Sequence, residues 1–230
     1  KKQQWKWIAI SSMLGTLFPA FFFAYALMGI DSSVASILNS MTSLNALIVG
    51  TLFFGVVFKR VQLGGVIIGL VGTILLILES SSLNPTQNYW FAIFVIASSL
   101  GYAFNVNIIK KHLSSISAMS ITAGHFVLLI VPVFLVLFFT GFFTTIEFTD
   151  ETSSSLFYLV ILSVVGTGLA KIMFNKLIQI SSPVFSTSVA YLIPIVAIIW
   201  GFVDGEKVSY LQLIAGAIIL LGIYIVNKVK

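Results

Sequence analysis

Residues 184–222 read VFSTSVAYLIPIVAIIWGFVDGEKVSYLQLIAGAIILLG: an apolar run containing Pro194, a Gly-Glu pair at Gly205 and Glu206, then a second apolar run marked by glycine. A shift of 150 residues, without a gap, lays an earlier copy over it. Ile30, Ser32, Val34 and Ser36 fall on Ile180, Ser182, Val184 and Ser186; Gly55 falls on Gly205; Gln62, Leu63 and Gly72 fall on Gln212, Leu213 and Gly222. The chain reads as a duplicated unit, and self-similarity on this scale decides the architecture before any local pattern does.

Composition places the unit in lipid. Of 230 residues, 59% are hydrophobic and 8% charged, where a soluble domain carries roughly 25% charged residues; mean hydropathy is +1.11. Hydrocarbon about 30 Å thick takes about 20 apolar residues per helix. Eight runs meet that need, near 7–28, 34–58, 62–78, 89–109, 116–141, 155–178, 184–203 and 208–226, the third being short. Lipid offers no partner to a bare N–H or C=O, so each run is expected to be a helix, and the short alternating segments of a membrane barrel are absent. The expected fold class is all-α, a polytopic membrane protein with eight transmembrane helices.

Lys1, Lys2 and Lys6 precede the first run, Lys59 and Arg60 join the second to the third, and Lys110 and Lys111 join the fourth to the fifth. Lys176 closes the sixth, and Lys228 and Lys230 follow the eighth. Every second connection is thus basic, and basic connections stay cytoplasmic. All seven acids, Asp31, Glu79, Glu147, Asp150, Glu151, Asp204 and Glu206, occupy the other connections; only Lys207 and Lys171 break the alternation. The net charge of +5 therefore reads as an orientation signal in a prokaryotic cell membrane, with both termini cytoplasmic, and not as affinity for nucleic acid. With no cysteine, disulfides and thiolate metal sites are excluded. No cleavable signal peptide is visible, and a start at Lys1 without methionine points to a truncated or processed beginning.

Runs six to eight repeat runs one to three, while four and five have no partner upstream. A complete first copy would need two more helices before Lys1. Five helices per copy is an odd number, so the second copy enters the membrane from the opposite side. The expected division is 1–80, an incomplete first repeat, and 89–230, a complete second one, joined at ESSSLNPTQN (79–88). Inverted repeats of this sort belong to secondary transporters, which hold substrate near the midplane between the halves.

Lys171 is the sharpest candidate residue. A cation at a helix centre costs about 2.5–3.5 kcal/mol on insertion scales, and no acid lies within any run to pair with it. Ser163, Thr167, Asn175 and Gln179 continue from it in steps of four, an expected polar ridge along a cavity or a packed neighbour. Two readings stand open: contact with an anionic substrate group, or snorkelling, since Lys171 lies about five residues, roughly 7 Å, past the middle of its run. Ser98, Tyr102 and Asn105 share a face of run four, and Thr122, His125 and Pro132 a face of run five. His125 reads as a proton relay or as a hydrogen-bonded structural histidine. Asn39, Asn45 and Asn105 read as lining a path or as bonding helix to helix. Pro19, Pro132 and Pro194 permit kinks, and Glu206 reads as a local cap or a partner of Lys207. No metalloprotease, nucleophile-elbow or phosphate-loop motif is present, and two histidines without cysteine make a poor metal set, so neither an enzyme nor a cofactor is expected.

From Asn175 to Gly222 the chain resembles EamA-type permeases of the drug/metabolite transporter superfamily. That pattern has a small-residue helix with a proline, here Pro194, then Gly205 and Glu206, then Gln212 and the glycines of the last helix. The likeness extends more weakly over Phe22 to Gly72, where Leu44 replaces the proline and Val56 the glutamate; Lys171 stands where the pattern usually has an apolar or aromatic residue. The resemblance implies ten helices in two inverted five-helix repeats, the first two lacking here, cytoplasmic termini, and export or exchange of small metabolites. The resulting expectation is a permease working by alternating access, proton-linked or facilitative, for a small amino-acid-like or organic-acid metabolite. Lys171, Thr167 and Asn175 would form the wall for the anionic group, with Tyr102, Asn105 and His125 facing it and Asn45 along the path. The alternative is a non-transporting membrane module or partner subunit.

Overall fold

Apolar runs in lipid satisfy their backbones internally, and each described element is helical. The computed structural model describes residues 2–57, 59–147, 149–206 and 208–228, with the side chains of all but Lys2, Glu151, Ser188, Tyr191, Leu192, Pro194, Ile195, Ala197 and Phe202. Lys1, Lys207 and Lys230 of the charge pattern, and the local pairing expected between Glu206 and Lys207, lie outside the described residues.

α1 (Lys2–Ser12) passes through a wider, π-helical turn at Met13–Leu17 into α2 (Phe18–Ala26). α3 (Ser32–Asn39) and α4 (Thr42–Phe54) are one span broken at Ser40 and Met41. α5 (Arg60–Leu83), α6 (Ala92–His112) and α7 (Ala118–Phe139) are continuous, and a single short turn, α8 (Phe142–Thr145), follows. α9 (Asp150–Ile161) passes through a second π-helical stretch, Leu162–Leu169, into α10 (Ala170–Ile180). α11 (Pro183–Thr187), a 3-10 turn at Ser188–Tyr191 and α12 (Leu192–Val203) precede α13 (Tyr210–Lys228).

Among the described residues seven helices are long and apolar enough to cross a membrane, and none is a strand. The chain is a multi-pass integral membrane protein. The run expected at 184–203 is not among the seven, and several of its side chains lie outside the described residues; its backbone is helical with one tighter turn. Pro194 has no N–H for the carbonyl of Ala190, and the tighter turn at Ser188–Tyr191 sits where that bond fails; the side chain of Pro194 lies outside the described residues. The third run is not short: α5 holds 24 residues, about 36 Å at 1.5 Å each. Of the stretch 79–88 that reads as linker, the first part up to Leu83 continues the helix, and 84–88 is turn and loop. Ser82 Oγ donates back to the Glu79 carbonyl at 2.8 Å, and buried Ser80 accepts from Gln212 Nε2 at 2.8 Å.

α5 and α13, counterparts under the 150-residue shift, pack antiparallel along their length. Gln62 at the start of α5 donates to the Val226 carbonyl near the end of α13 (3.2 Å), and Gln212 at the start of α13 reaches Ser80 near the end of α5. Each glutamine also accepts from the backbone three residues before it, Lys59 N–H and Ser209 N–H, both at 2.9 Å. A Cβ on Gly65 would lie 2.6 Å from the Gly222 carbonyl oxygen, and one on Gly222 would lie 2.5 Å from the Gly65 carbonyl oxygen. Only glycine at both positions lets the two backbones approach so closely. The crossed halves behave likewise: α3 packs on α12 and α4 on α11.

α6 joins two cores. On one side Ala26, Leu38, Leu44, Leu76 and Ile219 pack with Val95; on the other Ile8, Val49, Ile121 and Ile178 pack with Val106.

Candidate functional site

Pro19 starts the site. It has no N–H and follows directly on the π-helical turn Met13–Leu17, where Phe18 N–H donates five residues back to Met13, so the helix ladder is broken in the middle of the span Gln3–Ala26. The Lys171 ammonium donates to the Gly15 carbonyl in that turn at 3.3 Å and also contacts Thr16 Oγ1. Side chains on a helix lean toward its N-terminus, so the Lys171 stem runs back from α10 toward the middle of its span and reaches the midpoint of the first. Its described partners are two neutral oxygens, leaving its charge without a counter-charge among the described residues.

Asn105 on α6 fills the notch at Gly15, where a Cβ would collide with its amide, and accepts a hydrogen bond from Ser11. One helical turn from Lys171, Asn175 Nδ2 donates to Thr122 Oγ1 on α7 at 2.9 Å, and Thr122 donates back to the Ala118 carbonyl. His125, one turn along α7 from Thr122, is fully buried with both ring nitrogens unpartnered among the described residues; Lys171 is its charged neighbour. Tyr102 is half-buried on the same face of α6 as Asn105, its hydroxyl without a protein partner among the described residues. Lys171, Asn175, His125 and Asn105 therefore converge with the middle of the first span, brought there by α10, α7 and α6, with Tyr102 one turn away.

Thr167 and Asn45 stand apart. Thr167 is exposed, and Ser163 is exposed with its hydroxyl bonded back to the Leu159 carbonyl. The polar ridge expected from steps of four is interrupted because Leu162–Leu169 is π-helical. An i→i+5 turn holds about one extra residue, which rotates the residues before it by about 100° relative to those after it. Lys171, Asn175 and Gln179, all beyond that turn, keep one face; Gln179 Nε2 donates to the Ile116 carbonyl at 2.7 Å. Asn45 Nδ2 donates to Ser99 Oγ at 2.7 Å, a buried bond between α4 and α6.

Ser11, Gly15 and Thr16 were not legible as partners of Asn105 and Lys171; the sequence signal near them is Pro19, which breaks the helix ladder. Nor was Thr187, whose Oγ1 accepts from Ser43 Oγ at 2.7 Å where α11 meets α4. Among the described residues no group of three or more His, Asp or Glu converges as metal ligands.

Polar side chains gathered at mid-span in a multi-pass helical protein, beside helices interrupted at Ser40 and Met41 and at Ser188–Tyr191, are an arrangement known from membrane transporters. The chain matches the EamA-like transporter family over residues 1–78 and 89–228, and it belongs to that family. It is 28% identical over 203 residues to the uncharacterized inner membrane transporter YedA of Escherichia coli strain K12, and equally so to YedA of strains O6:H1 and O157:H7. Those 203 residues are 87% of this chain and 63% of YedA, so the chain spans less than two thirds of the length of the curated relatives it matches.

Proposed function

We propose that this chain is the membrane-embedded body of a secondary permease of the inner membrane, moving a small metabolite that carries a carboxylate, amino-acid-like or organic-acid, by alternating access. Eight transmembrane segments form two inverted repeats, 1–80 and 89–230, with both termini cytoplasmic. Support for the inversion comes from the antiparallel α5–α13 pair and from the crossed packing of α3 with α12 and α4 with α11.

The observation that carries the substrate class is the Lys171 ammonium at the middle of the first span, held by neutral oxygens among the described residues. A charge in low dielectric draws an opposite one strongly, and a carboxylate arriving there supplies it. Thr16, Asn105 and Tyr102 orient the rest of the molecule, and His125, without a hydrogen-bond partner among the described residues and beside the cation, is the group to exchange a proton with the passage if transport is proton-linked. Asn175, through Thr122, holds α10 against α7.

Protein reconstituted in liposomes is expected to catalyse counterflow of a labelled amino or organic acid, and Lys171→Met to abolish it. Undiminished counterflow in Lys171→Met would remove the site assignment.

A further inference from the structure

At the end of the molecule that carries the acids, three carboxylates accept hydrogen bonds from segments far away in sequence. Asp31 accepts from Asn84 Nδ2 (3.0 Å) and Gln87 Nε2 (2.6 Å), tying segments of the first copy. Glu79 accepts from Ser209 Oγ at 2.9 Å, and Glu206 from the N–H and hydroxyl of Ser32 (3.0 and 2.7 Å) and the N–H of Ser33 (3.2 Å); these two tie copy to copy.

The Glu206 contact is built from both sides. Asp31 stands at the N-cap of α3 but makes no capping bond with its side chain, so the first N–H groups of α3 are left to Glu206, 174 residues away. A carboxylate there meets free N–H donors and the positive end of the helix dipole. Gly201 keeps the space open, since a Cβ on it would lie 2.6 Å from Glu206 Oε2. Gly205, with φ of +81°, turns the chain so that Glu206 reaches back across α12.

Behind this contact, α3 packs against α6. Ser98 on α6 is 0% exposed and its hydroxyl has no partner among the described residues. It lies on the face of Tyr102 and Asn105, between them and the acidic end. An unpaired buried hydroxyl is costly, and the cost is relieved if water reaches that face in another conformation.

We propose that Glu206 is a gate latch: its carboxylate clamps α3 to the end of α12 and closes the acidic end of the passage to Lys171, and its release opens the Ser98 face to water. That passage rests on the permease reading, but the test needs no substrate.

Because the chain has no cysteine, Ser98→Cys is its sole thiol. Labelling by a charged maleimide in proteoliposomes is expected to be slow, and to quicken by about tenfold or more when Glu206→Ala is added, as suits the loss of charge-assisted hydrogen bonds. Ser32→Ala, which removes one of those bonds from the opposite partner, is expected to quicken it by about threefold and carries the test if Glu206→Ala does not fold. Ile109→Cys, 0% exposed near the basic end, is expected to label at one slow rate with or without Glu206→Ala. Equal Ser98→Cys rates with and without the latch would overturn the proposal, as would an equal rise at Ile109→Cys, which marks general loosening. Loss of counterflow with intact latch behaviour would instead count against the permease reading alone.

Discussion

α5 and α13 are related by the same 150-residue shift as the first and sixth spans, yet the two pairs have diverged differently. In the α5–α13 seam, Gln62 and Gln212 do the same work from opposite ends, and Gly65 and Gly222 meet backbone to backbone. The first and sixth spans share only a shape, a π-helical turn at Met13–Leu17 and at Leu162–Leu169. Their side chains differ where it matters: Pro19 corresponds to Leu169, and Lys171 to Phe21. Gln62 and Gln212 are duplicates that hold the copies to each other, and Lys171, the proposed substrate contact, stands where the copies depart from one another. π-helical turns inside α-helices occur frequently at functional sites, which agrees with this division.

The largest expected effect comes from erasing the departure. Lys171→Phe, which copies Phe21, should lower carboxylate counterflow by about a hundredfold or more, the loss of one charge-assisted pair, while leaving thermal unfolding of the seam unchanged. Next come the seam glycines. Gly65→Val and Gly222→Val should each destabilise by about 1–3 kcal/mol, and by similar amounts, because each overpacks the same crossing; a chemical unfolding series that spared one of them would contradict the close backbone approach at that point. Gln62→Ala and Gln212→Ala should each cost about 1–2 kcal/mol in the same assay, leaving buried partners unsatisfied.

A smaller effect concerns pH at the latch. Burial alone would raise the Glu206 carboxyl, but hydrogen bonds from Ser33 and Ser32 outweigh it and hold the group below its ordinary 4.5. The latched state therefore binds fewer protons than the released one. The latch is fully present above pH 4.5 and is lost as the pH falls through the depressed value of the latched state. Ser98→Cys labelling, corrected for the intrinsic thiol rate, should rise only on that acid side. Asp31 next to Ser32, Asp204 in the same turn as Glu206, Glu79 on α5, Glu147 just before α9 and Asp150 at its start are the other acids with described side chains at this end, so the rise should vanish in Glu206→Gln if Glu206 is its source. The smallest effect belongs to Thr167→Ala, which should change counterflow by less than about twofold, whereas Thr16→Val at the Lys171 contact should reduce it by about tenfold.

Much of the architecture was legible in the sequence because lipid imposes few choices: apolar length gives the spans, and the copied residues give the duplication. Lys171 stood out because an ammonium in an apolar run is costly. Its direction was not legible, since snorkelling and inward reach differ only in which way the stem leans, and the helix direction sets that. Thr167 does not share the face of Lys171 because a π-helical turn resets the period of four that joins them in the sequence. α5 was read too short because Ser80 and Ser82 look like a loop until their partners, Gln212 and the Glu79 carbonyl, are in view. No local pattern around Glu206 announces Ser32, whose distance in the chain is bridged only by packing of α3 on α12.

Arg60 and Tyr210, equivalent under the shift and both exposed at the starts of α5 and α13, test the inverted arrangement most directly. With single cysteines at these positions, an impermeant maleimide added to intact cells should label Tyr210→Cys at once and Arg60→Cys only after permeabilisation. Labelling of both from the same side would contradict two halves set upside down around a shared polar centre.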